Sequence, residues 1–122
     1  MVVKMMEFDV NGLTWTIEQV NDNTVELNNE EGTFAGVTDY LNLHISIRNG
    51  MAAVVTRRTV IHELVHCFIW SYGIYTERYD NEQVCYFCEN HLDHILEIAD
   101  RYMRCVLHEQ TDQRSSDSSA ER

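Results

Sequence analysis

One pentapeptide in the chain has the residue types of a metal-dependent hydrolase: His62-Glu63-Leu64-Val65-His66. On a helix, the two histidines lie one turn apart, about 6 Å between side-chain origins, so both imidazoles can bind one zinc ion. Glu63 lies beside them, about 100° around the helix, where it can take a proton from a metal-activated water without binding the metal itself. The H-E-x-x-H pattern therefore predicts zinc-dependent hydrolysis with Glu63 as the general base.

The residues around this motif have the pattern of a helix that packs into a core. Four apolar side chains share one arc of the helix, and the two histidines lie on the neighbouring arc: Ile61, Leu64, Val65 and Phe68. We predict a helix over residues 51–70, with Gly73 as the left-handed residue just past its end. The competing interpretation is a buried helix whose two histidines only make hydrogen bonds in the core.

Two β-hairpins are predicted before this helix. Asn11-Gly12 separates the segments 7–10 and 13–17, and both turn positions need positive φ. The second hairpin pairs residues 33–38 with residues 41–48, where apolar and polar residues alternate so that one face is core and His44 lies on the other. A short strand is expected at 24–27. If the strand 41–48 is the edge beside the cleft, it could pair with an extended peptide.

A catalytic zinc needs a third protein ligand, and the main candidate for it lies on a second predicted helix. This helix is predicted from Asp80 to about residue 108, with Gln83 as the capping-box partner of Asp80. Glu82 lies in its first turn, at one edge of the apolar stripe, where it can face the first helix. The competing interpretation of Glu82 is an ordinary acid favoured by the helix dipole.

Three other residues are weaker candidates for the third ligand. Glu77 lies in the connecting loop, Glu89 lies two turns beyond Glu82 on the same edge of the stripe, and His91 lies on the opposite edge. The metzincin class is excluded, because the positions where it has a glycine and a third histidine are Ile69 and Tyr72 here. We therefore expect the metal ligands to be His62, His66 and one residue of the region after the first helix.

The four cysteines all fall in predicted helices, where we expect reduced, buried thiols: Cys67, Cys85, Cys88 and Cys105. Cys85-x-x-Cys88-x-x-His91-x-x-His94 has the letters of a zinc finger. In a continuous helix, however, each step of three residues falls back by about 60°, so the four side chains spread over half the circumference. They cannot close a tetrahedron around one ion.

The composition limits the classes of partner and compartment. A chain of 122 residues is long enough for one modest core, and we expect one domain at 1–110 followed by a disordered, polar tail at 111–122. With 20 acidic against 9 basic residues, no basic stripe exists to neutralise phosphates, so direct nucleic-acid binding is disfavoured. The first ten residues have no apolar run long enough for a signal peptide or a membrane span, so we expect a cytoplasmic protein without membrane contact.

The motif, followed by a second helix that opens at Asn81-Glu82-Gln83, resembles a minimal gluzincin. It is similar to the ImmA/IrrE-type metallopeptidases and to small phage-encoded proteins of that kind, and the likeness covers roughly residues 33–99. This resemblance implies a zincin-like α+β fold, in which a small antiparallel sheet of about four strands packs on two helices. It also implies Glu82 as the third zinc ligand. The run from His62 to Trp70 is similar to SprT-like proteases as well, which would give that role to His91.

The function expected from these observations is a zinc-dependent metallopeptidase that acts on a peptide or protein substrate. Glu63 would take a proton from the attacking water and deliver it to the leaving amine. Two alternatives stay open: a non-catalytic zinc-holding module that docks on another protein, and a metal-dependent amidohydrolase that acts on a non-peptide amide. Retention of Glu63 favours catalysis, because a purely structural zinc has no use for a carboxylate that is not a ligand.

Overall fold

A four-stranded sheet with two helices on one face forms the body of the protein, which we describe from a computed structural model over residues 5–73 and 80–118. The elements follow in the order β1 (Met5–Val10), β2 (Leu13–Val20), β3 (Asn28–Asn29), β4 (Gly32–Thr33), β5 (Gly36–Asp39), β6 (His44–Arg48), α1 (Ala53–Ser71) and α2 (Asn81–Ser118). The α+β class predicted from the sequence is confirmed at this level.

The sheet is mixed, so the prediction of a purely antiparallel sheet is wrong. Its strand order is β1-β2-β6-β5, with antiparallel pairs β1–β2 and β5–β6 and a parallel pair β2–β6. Both predicted hairpins are present, and Asn11 and Gly12 have the positive φ that the first turn requires. The long connection after β2 carries the chain to the far edge of the sheet, so the second hairpin docks on β2 through its second strand. This docking makes β2 and β6 parallel.

Arg48 at the end of β6 ties this connection to the sheet. Its guanidinium donates hydrogen bonds to the carbonyl oxygens of Phe34 and Asp22, at 3.1 and 2.6 Å. Within the connection, residues Val25–Leu27 form a 3-10 helix and not the short strand expected at 24–27. Strand β6 is also shorter than predicted, because Leu41 lies exposed in the turn and Leu43 has a φ of 53°.

The core lies between the sheet and the two helices. Its fully buried side chains come from both hairpins and from one face of each helix, the largest being Trp15, Ile17, Ile45, Ile47, Leu64, Phe68, Ile98 and Tyr102. The indole of Trp15 donates a buried hydrogen bond to the hydroxyl of Ser71, at 3.0 Å, and so fixes the end of α1 against β2. Gly73 follows with a φ of 71°, as predicted for the helix end.

Helix α2 packs antiparallel to α1. The guanidinium of Arg57 meets the carboxylate of Asp100 at 3.1 Å near one end, and the rings of Tyr72 and Phe87 lie 6.3 Å apart near the other. The capping box at its start is confirmed: the backbone N–H of Asp80 donates to Gln83 at 3.0 Å, and the N–H of Gln83 donates to Asp80 at 2.9 Å.

The far end of α2 extends further than the sequence predicts. Its backbone continues to Ser118, past residue 108 and into the segment 111–122 predicted as a disordered tail. Residues 119–122 lie outside the described part of the chain, as do residues 74–79. No helix in residues 5–73 or 80–118 has both the length and the apolar character needed to cross a membrane.

The prediction of buried thiols is fully confirmed for Cys67 alone among the four cysteines. Cys105 is partly buried, whereas Cys85 and Cys88 are exposed. The reason is that the apolar stripe of α2 enters the core from Ile95 onward, while Val84 and Leu92 in the earlier turns are exposed. The helix is continuous through these turns, so the two cysteines and the two histidines of the finger-like spacing lie around the helix and do not converge on one ion.

Candidate active site

The two histidines of the motif lie together on the outer side of α1. His62 and His66 are both exposed, and their ring centroids are 4.9 Å apart with the rings nearly perpendicular. Two nitrogens that share a tetrahedral zinc lie about 3.3 Å from each other, given Zn–N distances of about 2.0–2.1 Å. The spacing of the rings is compatible with such a pair, so these two residues fit a zinc ion as two of its ligands.

Glu63 points to a different side of α1, toward the edge strand β5. Its side chain is 7% exposed, and the hydroxyl of Thr38 donates a hydrogen bond to Oε1 at 2.7 Å. The same hydroxyl lies 3.3 Å from the backbone carbonyl oxygen of Glu63. A carboxylate this buried needs a donor, since an unpaired buried charge is costly. Thr38 supplies that donor from the sheet.

Gly36 allows β5 to approach α1 closely at this point. A Cβ at position 36 would lie 2.9 Å from Cγ2 of Thr59, 3.1 Å from Cγ of Glu63 and 3.2 Å from the carbonyl oxygen of Ser46. Real side chains do not make the first of these contacts, so a residue larger than glycine would push the strand and the helix apart. Thr38 lies two residues further along the same face of β5, within reach of Glu63 because of this approach.

A cleft of about 420 Å³ runs between the edge of β5 and α1, with both His62 and Glu63 in its wall. The other lining residues are Phe34, Ala35, Gly36, Val55, Arg58 and Thr59. Strand β5, and not the predicted 41–48 strand, is the sheet edge here, because β6 lies between β5 and β2. The backbone N–H of Arg48 donates to the carbonyl of Ala35, so the alternate residues Gly36 and Thr38 direct their backbone groups away from β6.

Tyr40 and Trp70 form an aromatic pair near Glu63. Tyr40 stacks on Trp70 with ring centroids 5.8 Å apart, and Trp70 meets the edge of the buried Trp15 at 6.0 Å. Burial raises the pKa of the Tyr40 phenol, and the negative charge of Glu63 raises it further. The phenol of Tyr40 therefore lies close enough to Glu63 for its proton to respond to the charge of that carboxylate.

The third metal ligand is not brought to the histidine pair by the described residues. Within 5–73 and 80–118, no three His, Cys, Asp or Glu side chains lie close enough to hold one ion. Glu82 and Glu89 are exposed on α2, and Glu77 lies outside the described residues. His91 packs against Tyr72 with ring centroids 4.4 Å apart, in an aromatic cluster with Phe68 and Phe87.

The antiparallel packing of the helices sets the distance of each candidate along α2. His91 is level with Tyr72, six residues beyond His66. Glu82 lies nine residues before His91, which places it about 13.5 Å further along the axis of α2, away from the histidine pair, at 1.5 Å per residue. Burial, together with the neighbouring His94, lowers the pKa of His91, which favours its neutral form. Glu82 stays the prediction of the resemblance, but zinc binding by Glu82 would require the first turn of α2 to move toward α1.

Two other titratable residues are not part of the site. Burial raises the pKa of the Cys67 thiol to about 12, so Cys67 remains a protonated core residue. His44 lies on the sheet face opposite the helices, where its Nε2 is 3.1 Å from the carboxylate of Glu18 and its Nδ1 contacts the hydroxyl of Thr16. The sequence left a ligand role for His44 open, and this placement turns it away from α1.

The sequence did not point to Thr38, Gly36 or Tyr40, which lie on the β5 side of the site. Gly36 and Thr38 share one face of β5, Tyr40 follows in the turn, and a glycine inside a strand is a known sign of close backbone approach. That signal was available at Gly36. Comparison of the chain with protein-family models, with curated proteins and with solved structures found no match.

Proposed function

We propose that this protein is a zinc-dependent metallopeptidase in which His62 and His66 hold the metal and Glu63 is the general base. The observation that carries the proposal is that Glu63 lines the same cleft as His62 and is held there by Thr38. A carboxylate held in the same cleft as one of two histidines that could share an ion supports hydrolysis by an activated water.

The residues of the chain would divide the work as follows. Zinc, when bound, supplies a Lewis acid that activates a water molecule and polarises the scissile carbonyl. The carboxylate of Glu63 accepts a proton from that water as the water oxygen bonds to the carbonyl carbon. The C–N bond then breaks, and Glu63 gives the proton to the leaving amine nitrogen.

The outer edge of β5, which is not paired with β6, is the part of the cleft suited to an extended peptide. Because Gly36 and Thr38 direct backbone groups outward, a substrate strand could add to this edge through main-chain hydrogen bonds. Such a strand would pass Glu63 between Phe34 on one side and Tyr40 with Trp70 on the other. A peptide or protein is therefore preferred over a small non-peptide amide as the substrate.

The substitution Glu63→Gln tests the proposal. Glutamine keeps the size of the side chain and an oxygen that can accept from Thr38, but it cannot act as a base, so we expect hydrolysis to fall by about 10²–10⁴-fold. The measurement is cleavage of fluorescein-labelled casein by zinc-loaded protein, with zinc content and thermal unfolding as controls that should match wild type. A variant that holds zinc and cleaves as well as wild type would show that Glu63 is not the base.

A non-catalytic zinc-holding module is the second candidate, and one observation favours it. The Thr38 hydrogen bond and the 7% exposure of Glu63 would also suit a carboxylate whose role is to join β5 to α1. This candidate predicts zinc binding without casein cleavage, and it predicts a loss of thermal stability in Glu63→Ala. Zinc-dependent cleavage by the wild-type protein would exclude it.

A further inference from the structure

The hydrogen bond between Thr38 and Glu63 leaves the two carboxylate oxygens in different situations. A hydroxyl has one proton to donate, and the 2.7 Å contact with Oε1 is shorter than the 3.3 Å contact with the backbone carbonyl. Oε1 is therefore the acceptor of a charge-assisted hydrogen bond. The described residues make their hydrogen bond to Oε1 and none to Oε2, and Glu63 lines the cleft.

The origin of this contact lies in the sheet and not in the motif. Thr38 is held by the antiparallel pairing of β5 with β6, where it lies opposite Ile45, a fully buried residue. Gly36 brings the same strand within van der Waals contact of Thr59 and Glu63. The carboxylate is thus oriented by a strand that is itself held by its pairing with the buried strand β6.

We propose that Thr38 is the positioning residue for the general base, holding one oxygen of Glu63 so that the other faces the water in the cleft. This inference rests on the proposed function, because a positioned base requires a reaction. A free glutamate side chain samples several rotamers, and fixing it removes that freedom before the reaction begins. Thr38 itself does not contact the reacting atoms.

The test compares Thr38→Val with Thr38→Ser. Valine keeps the branched shape and suits a strand, but it has no hydroxyl, so kcat for casein cleavage should fall by about tenfold to a hundredfold while KM changes by less than about twofold. Serine restores the hydroxyl, and kcat should return to within about threefold of wild type. Zinc content should be the same in all three proteins.

A matched control is available in the first hairpin. Thr14 is exposed on β2, and its hydroxyl also donates to a carboxylate, Oδ1 of Asp9, at 2.8 Å. Thr14→Val removes a hydrogen bond of the same kind away from the cleft and should leave kcat at the wild-type value. An equal loss in Thr14→Val and Thr38→Val would mean that the effect is a general loss of stability.

A second measurement reports the contact without any reaction. In protein labelled with ¹³C-glutamate, the Cδ resonance of Glu63 is assigned by its absence in Glu63→Gln. We expect this resonance to move in Thr38→Val and to stay near its wild-type position in Thr38→Ser, since a carboxylate carbon senses its hydrogen bonds.

The outcomes separate this inference from the proposed function. Full kcat in Thr38→Val, or equal loss in the valine and serine variants, overturns the positioning role and leaves the peptidase proposal intact. Wild-type protein that holds zinc and cleaves no casein contradicts the peptidase proposal. In that case, a Cδ resonance that does not move in Thr38→Val shows that Thr38 does not hold the carboxylate. A resonance that moves shows that the contact exists for structure alone. Either result also overturns the positioning role.

Discussion

On the side of α1 that faces β5, Glu63 is buried, hydrogen-bonded by Thr38 and pressed against Gly36. On the outer side of the same helix, His62 and His66 are exposed and contact each other. The difference shows that the two parts of the motif are positioned by different means. The fold positions the carboxylate through tertiary contacts, whereas the helical repeat alone sets the spacing of the histidines. In the proposed function, a third ligand would add to a histidine pair that the core does not hold.

The largest effect on zinc binding is expected from replacing the third metal ligand. If Glu82 binds zinc, Glu82→Ala should weaken zinc binding by about 100-fold or more, because one of three protein ligands is lost. His91→Ala should keep zinc, since His91 packs against Tyr72 and Phe87. The measurement is the zinc retained in competition with a chromogenic chelator.

The reverse result in these two variants would favour the histidine ligand of the SprT-like resemblance. It would also agree with the positions along α2, where His91 is nearer than Glu82 to the histidine pair. Equal retention of zinc in both variants would move the search to Glu77 or Glu89.

A smaller effect, on protein stability, is expected at Gly36 of β5, which packs against the Glu63 side of α1. The Cβ of Gly36→Ala would lie 2.9 Å from Cγ2 of Thr59, so the variant should be destabilised by about 1–3 kcal/mol through overpacking. Chemical denaturation measures this loss. The double variant Gly36→Ala/Thr59→Ala removes the closest contact and should recover part of the stability. Wild-type stability in Gly36→Ala would mean that β5 does not approach α1 as closely as described.

The motif helix and both hairpins could be predicted because local signals determine them. The Asn11-Gly12 turn, the helical spacing around His62 and the capping box at Asp80 each depend on residues close in sequence. The parallel pairing of β2 with β6 was missed because strand order depends on how a long connection crosses the sheet, and alternation within a strand carries no sign of it. For the same reason the sequence could not show which strand forms the sheet edge beside the cleft.

The placement of Glu63 shows the same limit within the site. Its identity as a candidate base followed from the five-residue pattern, but its burial and its partner Thr38 depend on where β5 packs. The exposed positions of Cys85 and Cys88 follow from how much of α2 reaches the core, which its apolar stripe does not reveal. Short-range spacing therefore identified the residues of α1, and tertiary packing determined their partners.

The zinc content of the purified protein, wild type beside His66→Ala, tests the central claim most directly. We predict about one zinc per chain in wild type and loss of the metal in His66→Ala. His66 is exposed, so this variant should keep its stability within about 0.5 kcal/mol. The control Cys85→Ser/Cys88→Ser should retain the wild-type amount of zinc. Wild-type protein without zinc, or His66→Ala with a full complement of zinc, would contradict a metal site at His62 and His66.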